Sequence, residues 1–326
     1  MDIVHAFLAN LFSPALLFFG LGIAAGLMKS DLRVPEAVSQ GLSIYLMMAI
    51  GFKGGASLVS AGGLSFTLVL VCGAGLAMSA LMPVLSNVIL KATTRLDPAT
   101  RAAVSAHYGS VSIVTFVTAT SFLSAAGTPF EGYMVAVLAL MEAPAIVTGL
   151  IIAGRAVAKP GTPALSGELF ANGPILLLVG SFIIGALTGQ SGLDTVSGFF
   201  VTPFQGILAL FLLDMGLAVS RRVDDMKAFS LPLALFGLYM PLIGASIGLG
   251  VALLLQLDVG SGGLLAVLGA SASYIAVPAA MRLALPEAKT AISLPLSLGI
   301  TFPFNIVIGI PLYVAAADLL LGGRVG

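Results

Sequence analysis

The chain has no tryptophan, one cysteine, two histidines and only 9% charged residues. Each scarcity excludes something. A soluble domain carries about a quarter charged residues, so a chain that is 59% hydrophobic reads as an integral membrane protein with many helices. Lys+Arg and Asp+Glu are equal at 14 each, so no polybasic surface for nucleic acid is expected. The single Cys72 lies in an apolar run, which excludes a disulfide framework and a thiolate metal site and leaves it a small buried hydrophobe. With no Trp, any aromatic belt at the membrane surface must use Tyr and Phe. The start, MDIVHAF, has no basic stretch, so no cleaved signal peptide is expected. No H-E-x-x-H, paired Cys motif or phosphate-binding loop occurs. One G-x-S-x-G does, at Gly244–Gly248. An intramembrane hydrolase built on Ser246 would need that motif at a strand-to-helix turn, whereas here it sits inside a long apolar span and reads as close helix packing. No catalytic residues are assigned.

What the chain does have is apolar runs. The expected spans are Pro14–Met28, Glu36–Phe52, Leu64–Leu90, Ala99–Ala125 and Tyr133–Ala153, then Ile175–Leu187, Phe199–Val219, Leu231–Leu257, Gly263–Leu285 and Ala291–Leu321. A crossing takes about 20 apolar residues. Between the fifth and sixth spans, residues 156–173 are polar and rich in Pro and Gly (KPGTPALSGE), the composition of a linker.

After the linker the pattern restarts. Ser13-Pro14-Ala15-Leu16-Leu17 is echoed by Gly173-Pro174-Ile175-Leu176-Leu177, Ala49-Ile50-Gly51 by Asp214-Met215-Gly216, Ser110-x-Ser112 by Ser271-x-Ser273, and Glu142-Ala143-Pro144 by Thr301-Phe302-Pro303. The offsets stay in order near ~160 residues, as an internal repeat requires. The expected fold is therefore all-α and membrane-embedded. It has ten transmembrane helices in two five-helix repeats, residues 1–155 and 174–326, joined by the cytoplasmic linker. An odd number of spans per repeat turns the second upside down relative to the first. The cations agree with that topology: Lys29, Arg33, Lys91, Arg95, Arg101, Arg155, Lys159, Arg221, Arg222, Lys227, Arg282 and Lys289 all follow odd-numbered spans, and only Lys53 and Arg324 fall on the other side. The positive-inside rule then puts both termini outside.

Two spans are interrupted. The fourth contains His107-Tyr108-Gly109-Ser110-Val111-Ser112-Ile113, and the ninth contains Ser271-Ala272-Ser273-Tyr274-Ile275-Ala276-Val277-Pro278. Unwound backbone in hydrocarbon is tolerated only where protein buries it or it lines a cavity, and matched breaks in two halves point to a transport site. A restarting half-helix offers free N–H groups and a positive dipole end, which suit an anion. The candidate anion ligands are Gly109, Ser110, Val111, Ser112 and Ile113 with Ser271, Ala272, Ser273 and Tyr274; the plainer alternative is that the serines only pack between spans. Glu142 and Asp214 are carboxylates at membrane depth, expensive there and functional by default. With Thr301, Asn305 and Ser110 they form the candidate oxygen set for a hard cation such as Na⁺. Glu142 has the alternative of a protonated or hydrogen-bonded structural carboxyl, and Asp214 of snorkelling or pairing with a neighbour. His107 reads either as a proton shuttle or anion holder, or as a hydrogen-bonded structural histidine.

These residues resemble the SbtA-type sodium-dependent bicarbonate transporters. The resemblance rests on His107-Tyr-Gly-Ser-Val-Ser, Glu142-Ala-Pro-Ala, Leu210-Phe-Leu-Leu-Asp-Met-Gly-Leu, Ala270-Ser-Ala-Ser-Tyr-Ile-Ala-Val-Pro, Ala284-Leu-Pro-Glu-Ala and Leu298-Gly-Ile-Thr-Phe-Pro-Phe-Asn. It covers nearly the whole chain. Glu142 stands where the cyanobacterial members carry Asp, and the linker is short. The resemblance implies Na⁺-driven bicarbonate symport by alternating access, with Na⁺ as coupling ion and no other cofactor. It also implies a core and a gate domain, a homotrimer in the bacterial inner membrane, and a PII-like regulator on the cytoplasmic face. Two alternatives are weighed beside it: a Na⁺ symporter of another small anion or carboxylate, and a non-transporting anion receptor.

Overall fold

Leu, Ala, Val and Ile runs can satisfy their backbone in lipid only by closing i to i−4 bonds within each segment, and every regular element among the described residues is helical. The computed structural model describes residues 11–60, 65–154, 173–227 and 229–322. His5, Arg155, Lys159, Arg324 and all of the expected linker except Gly173 lie outside them.

The helices run α1 Pro14–Leu27, α2 Glu36–Ser60, α3 Phe66–Thr93, α4 Pro98–His107, α5 Ile113–Ala125, α6 Met134–Leu140 and α7 Pro144–Ile152. After the undescribed segment come α8 Gly173–Phe200, α9 Phe204–Ser220, the short α10 Val223–Lys227, α11 Leu231–Leu254, α12 Val259–Ala270 and α13 Ala276–Ala284. Last is a continuous helix: α14 Thr290–Pro295, a π segment Leu296–Thr301, the turn α15 Phe302–Phe304, a second π segment Asn305–Gly309, and α16 Ile310–Leu321. Among the described residues, six helices are long and apolar enough to cross a membrane. Four shorter apolar helices accompany them, α1, α5, α9 and α12.

Several boundaries differ from those read off the sequence. The second helix does not stop at Phe52 but runs on to Ser60 through Gly51-Phe52-Lys53-Gly54-Gly55. Glycines are poor helix formers in isolation, but here they let a neighbouring backbone approach closely. A Cβ at Gly55 would stand 1.9 Å from the Phe182 carbonyl oxygen on α8. The sixth span, expected to end at Leu187, ends near a kink at Gly189 (φ 59, ψ −153), a conformation only glycine adopts readily. Eleven more helical residues follow and carry Phe199 and Phe200, whose rings pack on Tyr45 (5.2 Å) and Phe52 (5.8 Å). The fifth span is two helices, broken at 141–143. The tenth keeps its helix through Pro295, Pro303 and Pro311, each without an N–H to donate, with two π turns between them.

The packing repeats itself. α2 lies along α8, and α1 lies along α9. In the second pair a Cβ at Gly22 would meet the Leu213 carbonyl at 2.2 Å, and one at Gly216 the Phe19 carbonyl at 2.2 Å. In membranes such contacts hold helices by van der Waals packing. The starts of α4 and α12 are also built alike. Asp97 accepts from the Thr100 N–H at 2.8 Å, and Asp258 from the Ser261 N–H at 2.8 Å. Thr100 Oγ1 accepts from the Lys289 N–H at 3.0 Å, and Ser261 Oγ from the Glu131 N–H at 3.0 Å. Each cap thus fixes its interrupted helix to the loop of the other half.

The G-x-S-x-G residues lie mid-helix in α11. A Cβ at Gly244 would stand 1.9 Å from the Gly269 carbonyl on α12, and one at Gly248 2.6 Å from that of Leu265. The Ser246 hydroxyl donates to Leu242 of its own helix at 2.8 Å. This is the close packing expected from the spacing.

Candidate functional site

α4 starts on its Asp97 cap with Pro98 in the first turn and ends at His107. The chain turns over Tyr108-Gly109-Ser110 and becomes extended at Ser112, which caps α5 by accepting from the Thr115 N–H at 3.2 Å. Gly109 is required there by contact, since a Cβ would meet Pro83 at 2.4 Å and the Ala145 Cβ at 2.9 Å. In the other half α12 ends at Ala270, Ser271 is extended, and Ser273 Oγ accepts from the Val277 N–H at 3.4 Å near the start of α13. The two restarting helices therefore carry equivalent serines.

The breaks are bonded to one another. The Ser273 N–H donates to the His107 carbonyl at 2.8 Å, and His107 Nδ1 pairs with the Ser273 carbonyl at 2.6 Å. The Ser112 N–H donates to Ser271 Oγ at 3.2 Å, and the Tyr274 hydroxyl lies beside Ser112. By helix geometry the N–H groups of Ile113 and Val114 have no partner within α5. Ser110, Ser112, Ser271 and Ser273 are buried, while Ile275 is 42% exposed, so the second break reaches the surface there.

Glu142 stands in the third break, between α6 and α7. Its carbonyl accepts from Ser110 Oγ at 3.1 Å. Ser79 on α3 spans that break, donating to the Met141 carbonyl at 2.6 Å and accepting from the Ala145 N–H at 3.2 Å. The Glu142 side chain is 2% exposed, and its Oε2 has no hydrogen-bond partner. A buried carboxyl oxygen without a partner is costly and is the kind of atom a hard cation satisfies. Among the described residues there is no cluster of three or more His, Cys, Asp or Glu, so an ion here would be met by oxygens of mixed type.

The other expected cation ligands are placed differently. Thr301 Oγ1 donates to the Gly237 carbonyl at 2.8 Å and pairs with the Tyr108 hydroxyl at 2.6 Å. Asn305 donates to the Ala270 carbonyl at 2.8 Å and accepts from Tyr313 at 2.9 Å. Both brace the breaks: Asn305 satisfies one of the carbonyls that α12 leaves open at its end. Asp214 lies on α9, where it accepts a hydrogen bond from Ser39 on α2, the neighbour pairing weighed as its alternative. This bond joins two helices of the α1, α2, α8, α9 group rather than joining Asp214 to Glu142.

Ser79, Pro83 and Tyr313 support the site and were not singled out from the sequence; Tyr108 was read only as part of the first break. Pro83 offered a signal, because it removes the N–H that would bond the carbonyl of residue 79. The Asp-x-x-Thr and Asp-x-x-Ser starts at Asp97 and Asp258 offered another.

The family model described as the Na⁺-dependent bicarbonate transporter superfamily matches residues 14–318. No curated protein matches the chain.

Proposed function

Because the chain belongs to the Na⁺-dependent bicarbonate transporter superfamily, we propose that it is a secondary active symporter that couples inward Na⁺ flow to bicarbonate uptake by alternating access. One observation carries the reading: two interrupted helices are tied together at His107–Ser273 and Ser112–Ser271, and the buried, unpartnered Glu142 Oε2 belongs to the segment that Ser110 holds. Bicarbonate binds among residues Gly109 to Ile113 and Ser271 to Tyr274, where first-turn N–H groups and serine hydroxyls are donors. Na⁺ binds at Glu142 with serine and carbonyl oxygens. Its charge offsets that of the anion, so the loaded pair crosses more readily than either ion alone.

The architecture we infer is ten crossings in two inverted repeats in the bacterial inner membrane, with both termini outside. The twin caps at Asp97 and Asp258 and the twin glycine crossings of α1 with α9 and α2 with α8 support it. α1, α2, α8 and α9 form the gate, and the interrupted helices with α3, α11 and the last helix form the core.

The test is uptake of labelled bicarbonate into proteoliposomes with and without an inward Na⁺ gradient. Na⁺-dependent accumulation is expected. Accumulation of a different small anion or carboxylate instead would keep the symporter and change its cargo. Anion binding without accumulation would make the protein a receptor.

A further inference from the structure

In the topology proposed above, Lys53 is the one lysine or arginine among the described residues that lies toward the outer side. It does not sit in a loop. It is within α2, about 10 Å along the helix from Ser60, and is partly buried. Its ammonium stands 4.9 Å from the centre of the Phe204 ring on α9. Beside it is a cavity of about 230 Å³, lined by α2, α9 and the core helix α5, to which Gln205, Thr120 and Ser121 contribute. Among the described residues no Asp or Glu lines this cavity. A cation held inside a membrane protein ordinarily faces an acid or a carbonyl cage. Here the partner among the described residues is an aromatic face, which leaves the ammonium's three protons available.

Gln205 adds donors. Its Oε1 accepts from Ser121 Oγ at 2.9 Å, so the NH₂ end keeps both protons to offer. The same two residues line a second, larger cavity of about 630 Å³ against α1. The Ser121–Gln205 bond thus joins core to gate where the two cavities meet. From this point the hydroxyls of Ser121, Thr118, Thr115 and Ser112 recur every three residues along α5 and its cap, a spacing that winds about half a turn round the helix. They lead back over about 14 Å to the first break.

We propose that the cavity beside Lys53 is a second anion site, a vestibule where the Lys53 ammonium and the Gln205 amide hold a monovalent oxyanion such as bicarbonate before it reaches the breaks. The assignment of its role rests on the transport reading; the binding itself does not. Charge-assisted hydrogen bonds from both donors supply the attraction. The absence of an acid in the lining means that the anion, and not a neighbouring carboxylate, would neutralise Lys53.

The chain's lack of tryptophan makes a direct test available. Phe204→Trp places the sole indole of the protein against Lys53. Its fluorescence is titrated in detergent, without Na⁺ and at fixed pH, with choline bicarbonate against choline chloride at matched ionic strength. A saturable bicarbonate-dependent change that disappears in the Phe204→Trp, Lys53→Gln double variant is expected. No change, or the same change with Lys53 replaced, overturns the site and leaves Lys53 a snorkelling side chain. In the chain with native Phe204, Lys53→Gln should raise the bicarbonate KM about tenfold, the loss expected for one charged donor, and Lys53→Arg should recover most of it; an unchanged KM overturns the role. The two readings fail separately. A responsive indole in a protein that accumulates nothing would sink the transport reading alone, and a silent indole in an active transporter would sink the vestibule alone.

Discussion

His107 and Ser273 hold each other at two points: the Ser273 N–H donates to the His107 carbonyl at 2.8 Å, and His107 Nδ1–H donates to the Ser273 carbonyl at 2.6 Å. The second bond assigns the ring proton to Nδ1, because a carbonyl can only accept. His107 Nε2 is buried without a partner. The pair is a clamp between halves of the chain, with His107 hydrogen-bonded through Nδ1 and its Nε2 left open.

Replacing His107 with Ala should therefore strand the buried Ser273 carbonyl, at a cost of about 1–3 kcal/mol, and loosen the crossing of the breaks. The expected outcome is a lower melting temperature together with loss of uptake. His107→Asn, whose amide nitrogen falls near the position of Nδ1, should recover part of both. An Ala variant with native melting and uptake would remove the clamp from the account.

Gly109→Ala tests the seat of the first break. The added methyl would meet Pro83 at 2.4 Å and Ala145 at 2.9 Å, and both neighbours belong to packed helices that cannot easily yield. Overpacking of this kind costs about 1–3 kcal/mol. Thermal unfolding of the purified variant should report that loss, with uptake reduced more than stability alone would explain.

Glu142 should govern the response to Na⁺. A ligand that binds only the folded state stabilises it by about 2.7 kcal/mol at one hundred times its Kd. NaCl should accordingly raise the melting temperature of the wild-type protein above that seen in choline chloride. Glu142→Gln keeps the shape and removes the charge, so the Na⁺-specific rise should vanish; Glu142→Asp should retain part of it. A full rise in the Gln variant would place the ion elsewhere.

Ser121 and Gln205 join α5 to α9, the helices we assign to core and gate. If core and gate move against each other, a covalent tie between them should stop transport. In a background where Cys72 is replaced by Ala, Ser121→Cys with Gln205→Cys should lose uptake on treatment with a short bifunctional thiol reagent. Each single cysteine variant should remain active. Full uptake by the cross-linked protein would exclude relative motion at this contact.

Much of this was legible from composition and spacing. The apolar runs, the interruptions at Gly109 and Ser271-x-Ser273, and the depth of Glu142 follow from rules that hold segment by segment, because in lipid each helix must satisfy its own backbone and each departure from that pattern is visible locally. The helix through Gly51-Phe52-Lys53-Gly54-Gly55 was not legible, since what makes glycine acceptable there is the Phe182 carbonyl of a helix far along the chain. Nor were the partners of the polar residues. Thr301, Asn305 and Asp214 have the chemistry of cation ligands, and the fold bonds them to Gly237, Ala270 and Ser39. The sequence by itself determined that this chain lives in a membrane, where two of its helices break and which side chains are costly there. Only the tertiary structure decided which of those polar atoms are satisfied by protein and which, like Glu142 Oε2, are left over, because hydrogen bonds between distant segments depend on how the helices cross and not on the order in which they are written.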